Sequence, residues 1–311
     1  MLAVRILSQQ PVIFRRDVRL MGSRFEISVV GNDPNWADER IDEAIAEITR
    51  IEKLLSTFSD DTPINEINRN AGIKPVKTSA EIFNLVNRSM QISELTHGVF
   101  DLTYCADKDA DTATGENIAN TRSKRQINYQ NVALDSKEQT VFLKEKGMRI
   151  GFGANIKGYA ADRAKYLLQM QGVCSGVINT NGDLLAWGQT PAAAPWTIAT
   201  ADPGQKSQPF ANVEISNMAI ATSVNAGNQT ATINKKYATA INPEKGFLVS
   251  GIKSVSVISV SAELADSMAT PVMAIGVNAG LYLINQLNQM ACIIIDDHDR
   301  IYTSKDVSVV N

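Results

Sequence analysis

Between residues 19 and 55 the spacing of apolar residues changes from every second position to every third or fourth. Phe25, Ile27 and Val29 alternate with Arg24, Glu26 and Ser28, which predicts a half-buried strand over 19–30. Asp33 and Pro34 then open a helix in which Ile41, Ala44, Ile45, Ile48, Ile51, Leu54 and Leu55 share one face. A one-sided strand followed directly by a one-sided helix constrains the fold, because each needs a partner to cover its apolar side.

The same two periods recur along the chain. A helix is predicted from Thr78, where Thr78 and Glu81 form a capping box. Ile82, Leu85, Val86 and Leu95 supply its buried face, and Gly98 ends it. Residues 102–130 are polar and uneven and read as a long surface insertion. Strands follow near Val132 and over 141–143. The next helix has Asn155 as N-cap, Ile156, Ala160, Ala164, Leu167 and Leu168 on one face, and Gly172 as its stop. Further strands are expected around Val177 and over 196–200, 213–215, 232–241 and 252–260, with "NPEKG" as a turn. A helix over 261–276 that stops against Pro271, another from about Leu281 to Gln289, and a hairpin through "DDHD" complete the chain. No tandem repeat interrupts this order. The pattern predicts an α+β fold, with a mainly antiparallel sheet flanked by helices. Residues 1–17 read as a mobile leader or signal remnant, and 18–311 as a single domain.

Composition removes several classes of function. The 30 basic and 33 acidic residues are well mixed, so no basic groove suits nucleic acid. The three cysteines, Cys105, Cys174 and Cys292, are scattered and form no C-x-x-C pair, against a disulfide framework or structural zinc. No apolar run reaches the roughly 18 residues of a membrane span. Gly151, Gly153 and Gly158 surround a helix start, but Ile156 stands where a dinucleotide fingerprint needs glycine, and the order Lys157, Gly158, Tyr159 is not a Walker sequence. Asp107, Asp109 and Asp111 begin like a calcium loop, yet Thr112 and Ile118 occupy its glycine and glutamate positions. His97 and His298 have no nucleophile signature beside them.

Two features carry chemistry. Lys157 sits at a helix start, where backbone N–H groups attract anions and disfavour cations, so a phosphate would reconcile the two; a lysine simply facing solvent fits equally well. Asp266 and Thr270 lie four residues apart and project from one helix face, with Pro271 behind them. Proline lacks an N–H, so a carboxylate, a hydroxyl and freed carbonyls could gather there as ligands for Mg²⁺ or Ca²⁺. The plainer reading has Asp266 capping a helix begun at Ser261 and Thr270 packed in the core.

In order, "MGSRFEI" (21–27), "LLSTFSDDTPINEIN" (54–68), "GVFDLT" (98–103), "GFGANIKGYAADRA" (151–164), "INTNGDLLAWG" (178–188), "WTIATADP" (196–203), "AIATS" (219–223) and "ADSMAT" (265–270) resemble the motifs of the ApbE family of flavin transferases. The resemblance runs from about Arg19 to Ile295 and implies an ApbE, T-fold-like architecture. It implies transfer of FMN from FAD, as substrate, to a Ser or Thr hydroxyl of an acceptor protein, with Mg²⁺ bound and AMP released. By the same resemblance Met21, Phe58, Val99, Phe100, Asp101, Gly151, Lys157 and Ala240 would contact FAD. Ala154, Asp266, Ala269 and Thr270 would hold the metal, and Asp266 and Lys157 would carry catalysis. It further implies a periplasmic or cell-envelope location, with membrane association through an N-terminal anchor that is missing or trimmed. Four positions depart from the family pattern: Gly151 for aspartate, Thr239 for histidine, Asn242 for aspartate, and Val224 for glycine. These departures carry the alternative of an FAD-binding relative whose transfer activity is lost or altered.

Overall fold

The computed structural model describes residues 10–105, 128–153, 155–201, 209–225, 251–305 and 307. They divide into two compact units. The first draws on residues 10–50, 157–201, 209–225, 251–305 and 307, the second on 51–105, 128–153, 155 and 156.

The first unit is built on an eight-stranded sheet in which every neighbouring pair is antiparallel. Its order is β1 (Val12–Leu20), β2 (Ser23–Gly31), β8 (Gly176–Thr180), β9 (Asp183–Trp187), β12 (Met218–Val224), β13 (Ile252–Ser259), β14 (Met290–Asp296) and β15 (Ile301–Thr303). The predicted first strand is in fact a hairpin. Met21 and Gly22 both have positive φ, 51° and 68°, and form the two-residue turn that matches strand twist, with Leu20 opposite Ser23. Strand β1 therefore takes in residues 12–17, which had read as leader, because their backbone pairs along β2. A second such turn was hidden in "TNGD". Asn181 and Gly182 have φ of 63° and 114°, and Thr180 faces Asp183 across the hairpin.

Both faces of its inner strands are buried, as the unbroken buried runs of β13 and β14 show, while β1 at the edge is half-exposed. Phe25, Ile27 and Val29 of β2 are fully buried, as the alternation predicts. Ala186, Ile215, Ile220, Ile258 and Ile293 form a separate cluster, which Trp196 joins. Ile215 and Trp196 come from a two-stranded ribbon, β10 (Trp196–Ala201) with β11 (Pro209–Ile215). Helix α5 (Ala262–Ile275) lies against β12 and β13, and α6 (Val277–Ile284) lies against β14. Helix α6 starts earlier than expected because Gly276, at φ 92°, breaks the chain between the two helices. Helix α4 (Ile156–Met170) is joined through Arg163 to Glu47 of α1 (Pro34–Leu55).

The second unit holds α2 (Pro63–Arg69), α3 (Ala80–Leu95), a three-stranded sheet ordered β3 (Val76–Lys77), β6 (Thr140–Leu143), β5 (Val132–Asp135), and a pair of β4 (Thr103–Cys105) with β7 (Met148–Ile150). Helix α2 was not foreseen. Its cap is Thr62, whose hydroxyl accepts from Asn65 N, and Pro63 follows at a position where no N–H is needed. Helix α3 is capped by Ser79 rather than Thr78. Ser79 Oγ accepts from Ile82 N at 3.4 Å, and the start moves by one residue. Gly98 ends α3 as expected, donating to Ser93 O at φ 80°. The predicted strand over 232–241, the "NPEKG" turn and most of the 102–130 insertion lie outside the described residues. Among the described residues no helix is long and apolar enough to cross a membrane.

Candidate phosphate and cation site

Helices α4 and α5 meet in the first unit at a glycine. A Cβ on Gly158 would stand 2.3 Å from Ala262 O and 2.8 Å from Glu263 N, both rigid backbone. Only glycine lets the first turn of α4 come this close to the first turn of α5. The contact brings the two chemistry-bearing residues of the sequence together. Asp266, one turn into α5, accepts a hydrogen bond through Oδ2 from Gly158 N at 3.3 Å, beside Lys157. Asn155, expected to cap α4, stands directly before its first residue, Ile156, and donates through Nδ2 to Ser89 Oγ at 3.4 Å. One amide of the first turn of α4 is thus taken by a carboxylate from α5. Asp266 does not cap its own helix.

A third ionisable group joins them. Asp183, first residue of β9, lines the same small recess as Gly158, Thr180, Ile220, Ala262 and Asp266. Its Oδ1 accepts from Thr222 N at 3.0 Å. Burial raises the Asp183 carboxyl above its ordinary range, against the opposing pull of the Thr222 amide and the Lys157 charge. Asp266 is pushed further, to about 7. Loss of hydration contributes most and the negative charge of Asp183 adds to it, while Lys157 and the Gly158 amide oppose them. Two carboxylates thus share one lysine in a partly dry recess. This is an environment in which an added cation is favoured.

Thr270 stands one turn beyond Asp266 and is exposed. Its hydroxyl shares a 2.8 Å hydrogen bond with Ser223 Oγ on β12, one residue from the Thr222 amide that holds Asp183. It is not packed in the core. Pro271 does not end the helix, since α5 continues to Ile275. Without an N–H at 271, the ladder bond that is lost is the one to the Ser267 carbonyl, four residues back. Ala269 is buried inside the continuous helix.

The other expected residues fall in different places. Met21 occupies the tip of the first hairpin. Phe58, Val99, Phe100, Asp101 and Gly151 belong to the second unit. Phe58 is 98% exposed, on a segment held by Asn65, whose Nδ2 donates to Thr57 O at 3.0 Å and Ser59 O at 2.7 Å. Phe100 is buried and Val99 half-buried. Asp101 accepts from Thr103 N at 2.8 Å and Tyr129 N at 3.0 Å, and burial raises its carboxyl despite those bonds. Gly151 N donates to Leu102 O at 3.0 Å. Ala154, Ala240, Thr239 and Asn242 lie outside the described residues. Asp183 was missed by the sequence reading, although the Asn-Gly pair just before it signals a hairpin that would have placed it at the head of a strand.

The fold and the recess together define an α+β protein with an all-antiparallel main sheet and a site of half-buried carboxylates beside a lysine-bearing helix start. The sequence model of the ApbE family matches residues 21–294, and the chain belongs to that family. Two Klebsiella pneumoniae (strain 342) proteins named FAD:protein FMN transferase are 25% and 27% identical to it. The first match covers 84% of this chain and 78% of the relative, the second 94% and 89%. The fold is that of the ApbE protein from Thermotoga maritima, with TM-score 0.79 and 21% identity over 94% of this chain and 97% of that one. The flavin transferase ApbE from Vibrio cholerae also has TM-score 0.79, at 20% identity over 95% and 98%.

Proposed function

We propose that this chain transfers the FMN half of FAD to a serine or threonine hydroxyl of an acceptor protein, with a divalent cation bound and AMP released. The observation that carries this reading is the placement of Asp266, half-buried, against the Gly158 amide and beside Lys157 and Asp183. Family membership supplies the reaction class. The recess supplies the reason a diphosphate and a cation would meet there.

The donor chemistry fits a hard cation such as Mg²⁺. Asp266 is the leading ligand, the Asp183 carboxylate shares its recess, and the Thr270 hydroxyl lies one turn along the same helix. A cation bound there would supply charge neutralisation to a diphosphate. The chain's own groups account for the rest. The Lys157 ammonium offsets phosphate charge at the helix start, and Asp266 and Asp183, whose protonated forms burial favours, would ionise more readily beside a bound cation. In the transfer, the acceptor oxygen bonds to the FMN-side phosphorus. The bridging P–O bond breaks, and AMP leaves with the bridging oxygen. The proton of the acceptor hydroxyl needs a base. Thr239, which stands at the family's histidine position, does not titrate near neutral pH.

That substitution favours a second reading, FAD binding with transfer lost or slowed. One experiment separates the two. The chain is incubated with FAD, Mg²⁺ and a flavin-acceptor domain, and the acceptor is weighed by mass spectrometry. A gain of one FMN with matching AMP release supports transfer. FAD binding without label or AMP favours the second reading. No FAD binding defeats both. A cell-envelope location rests on the resemblance alone, and fractionation of the native host tests it.

A further inference from the structure

The crossing of α4 and α5 carries a second carboxylate exchange, opposite in direction to the first. Asp162, one turn beyond Gly158 on α4, reaches the N-terminus of α5. Its Oδ1 accepts from Ala262 N at 2.9 Å, and its Oδ2 accepts from Glu263 N at 3.0 Å and from Ser261 Oγ at 2.7 Å. Ser261 Oγ in turn accepts from Leu264 N at 3.2 Å, and Ser261 N donates to Ser259 Oγ at 3.4 Å. The four amides that a helix start leaves without intrahelical partners are all satisfied here, two of them by Asp162. Meanwhile Asp266, one turn into α5, takes the amide of Gly158 in the first turn of α4. Each helix therefore sends a carboxylate to the other's first turn. The two exchanges flank the point where Gly158 touches the Ala262 carbonyl.

We infer that Asp162 is a positioning residue for Asp266: by gripping three donors at the head of α5, it fixes the register of that helix on α4 and so holds the Asp266 carboxylate at the lysine-bearing turn. Two side-chain bonds to helix-start amides, one hydroxyl bond and a backbone-to-backbone contact leave α5 little freedom to slide or rotate. Asp162 itself bonds to the head of α5 and meets neither cation nor phosphate. Its effect on the site passes entirely through the placement of α5. That it matters for cation binding rests on the reading of the site given above. That it holds Asp266 against Gly158 does not.

The test uses the full-length chain and two measurements. The first is amide hydrogen exchange at Gly158 in chelator, which reports the Asp266 contact without any cation. Asp162→Ala should speed exchange there about tenfold, Asp162→Asn should fall between, and Ser79→Ala should leave it unchanged. Ser79→Ala removes the cap of α3 in the other unit and controls for general destabilisation. The second is Mn²⁺ affinity by electron paramagnetic resonance. Asp162→Ala should weaken it about tenfold, the scale for losing a group that orients a ligand. Unchanged Gly158 exchange in Asp162→Ala overturns the inference. If that variant does not fold, wild-type exchange in Asp162→Asn overturns it equally. A wild-type chain that binds no Mn²⁺ while the exchange coupling is present would sink the cation reading and leave the positioning role standing.

Discussion

Replacing Asp266 with asparagine removes the ionisable group at the centre of the site and keeps its shape, including an oxygen to accept from Gly158 N. In the folded chain Asp266 titrates at about 7, against an ordinary value of 3.8, chiefly because it is buried and secondarily because Asp183 is near. The folded-state value is the higher one, so the unfolded chain loses this proton first as pH rises. Stability is full below the unfolded value and falls as pH rises through the window from 3.8 to about 7. Across the whole window the penalty reaches at most about 4 kcal/mol, at about 1.36 kcal/mol per tenfold change in proton affinity. Residual contact with water reduces it. The expected result in EDTA at pH 8 is that Asp266→Asn is more stable than the parent chain by about 2–4 kcal/mol, with the gap closing toward pH 4. Saturating Mg²⁺ should raise the parent's melting temperature at pH 8 and leave that of the variant unmoved. Urea melts across the pH range, with and without Mg²⁺, measure all of this. A stability difference that stays flat with pH, or a variant weaker than the parent at pH 8, would refute the claim that this carboxylate is held against its preference.

Other outcomes follow from the same structure. Gly158→Ala places a methyl group against the Ala262 carbonyl and should cost about 1–3 kcal/mol in urea melts, while weakening Mn²⁺ binding because the helices must part. Asp296 behaves oppositely to Asp266. Loss of hydration pushes it up, but the amides of Arg300 and His298, the Arg300 side chain and the Tyr302 hydroxyl outweigh that and hold it at about 2. Its contribution is present above the ordinary value of 3.8 and is lost as pH falls toward 2, so Asp296→Asn should flatten the acid limb of the melting-temperature profile. Asn65→Ala frees the carbonyls of Thr57 and Ser59, and limited proteolysis should then cut near Phe58 several-fold faster, roughly in step with about 1 kcal/mol per lost bond. Trp187→Phe empties part of a fully buried site and leaves Val173 O without its 3.1 Å indole donor, so a loss of about 1–3 kcal/mol is expected.

Local periodicity was enough to find β2, α1, α3 and α4, because a strand or helix buried on one side must repeat its apolar residues at the period of its backbone. Stop signals such as Gly98 and Gly172 were legible for the same reason, since each positive-φ cap is a property of a single residue. The short elements were not. Helix α2 is too brief for a period to show, and the Met21–Gly22 turn lies within a stretch whose apolar residues read straight through as strand. The 270s were misjudged because a proline's missing N–H removes one bond, while packing of α5 on β12 and β13 keeps the helix going past it.

The amino-acid order alone determined the fold class, and it marked Lys157 and Asp266 as the residues worth watching, one for its place at a helix start and one as a charge in an apolar helix. It could not say that they meet. The Gly158 amide and the Asp266 carboxylate are 108 positions apart, and Asp162 and the Ala262 amide 100. Asp183 enters the same recess from a third element. Bonds of that range exist only once two helices have closed over a sheet, because they depend on where whole elements pack and not on what any short stretch prefers. The tertiary structure therefore decided which carboxylate lost its water, which amide it took in exchange, and which residue holds it there.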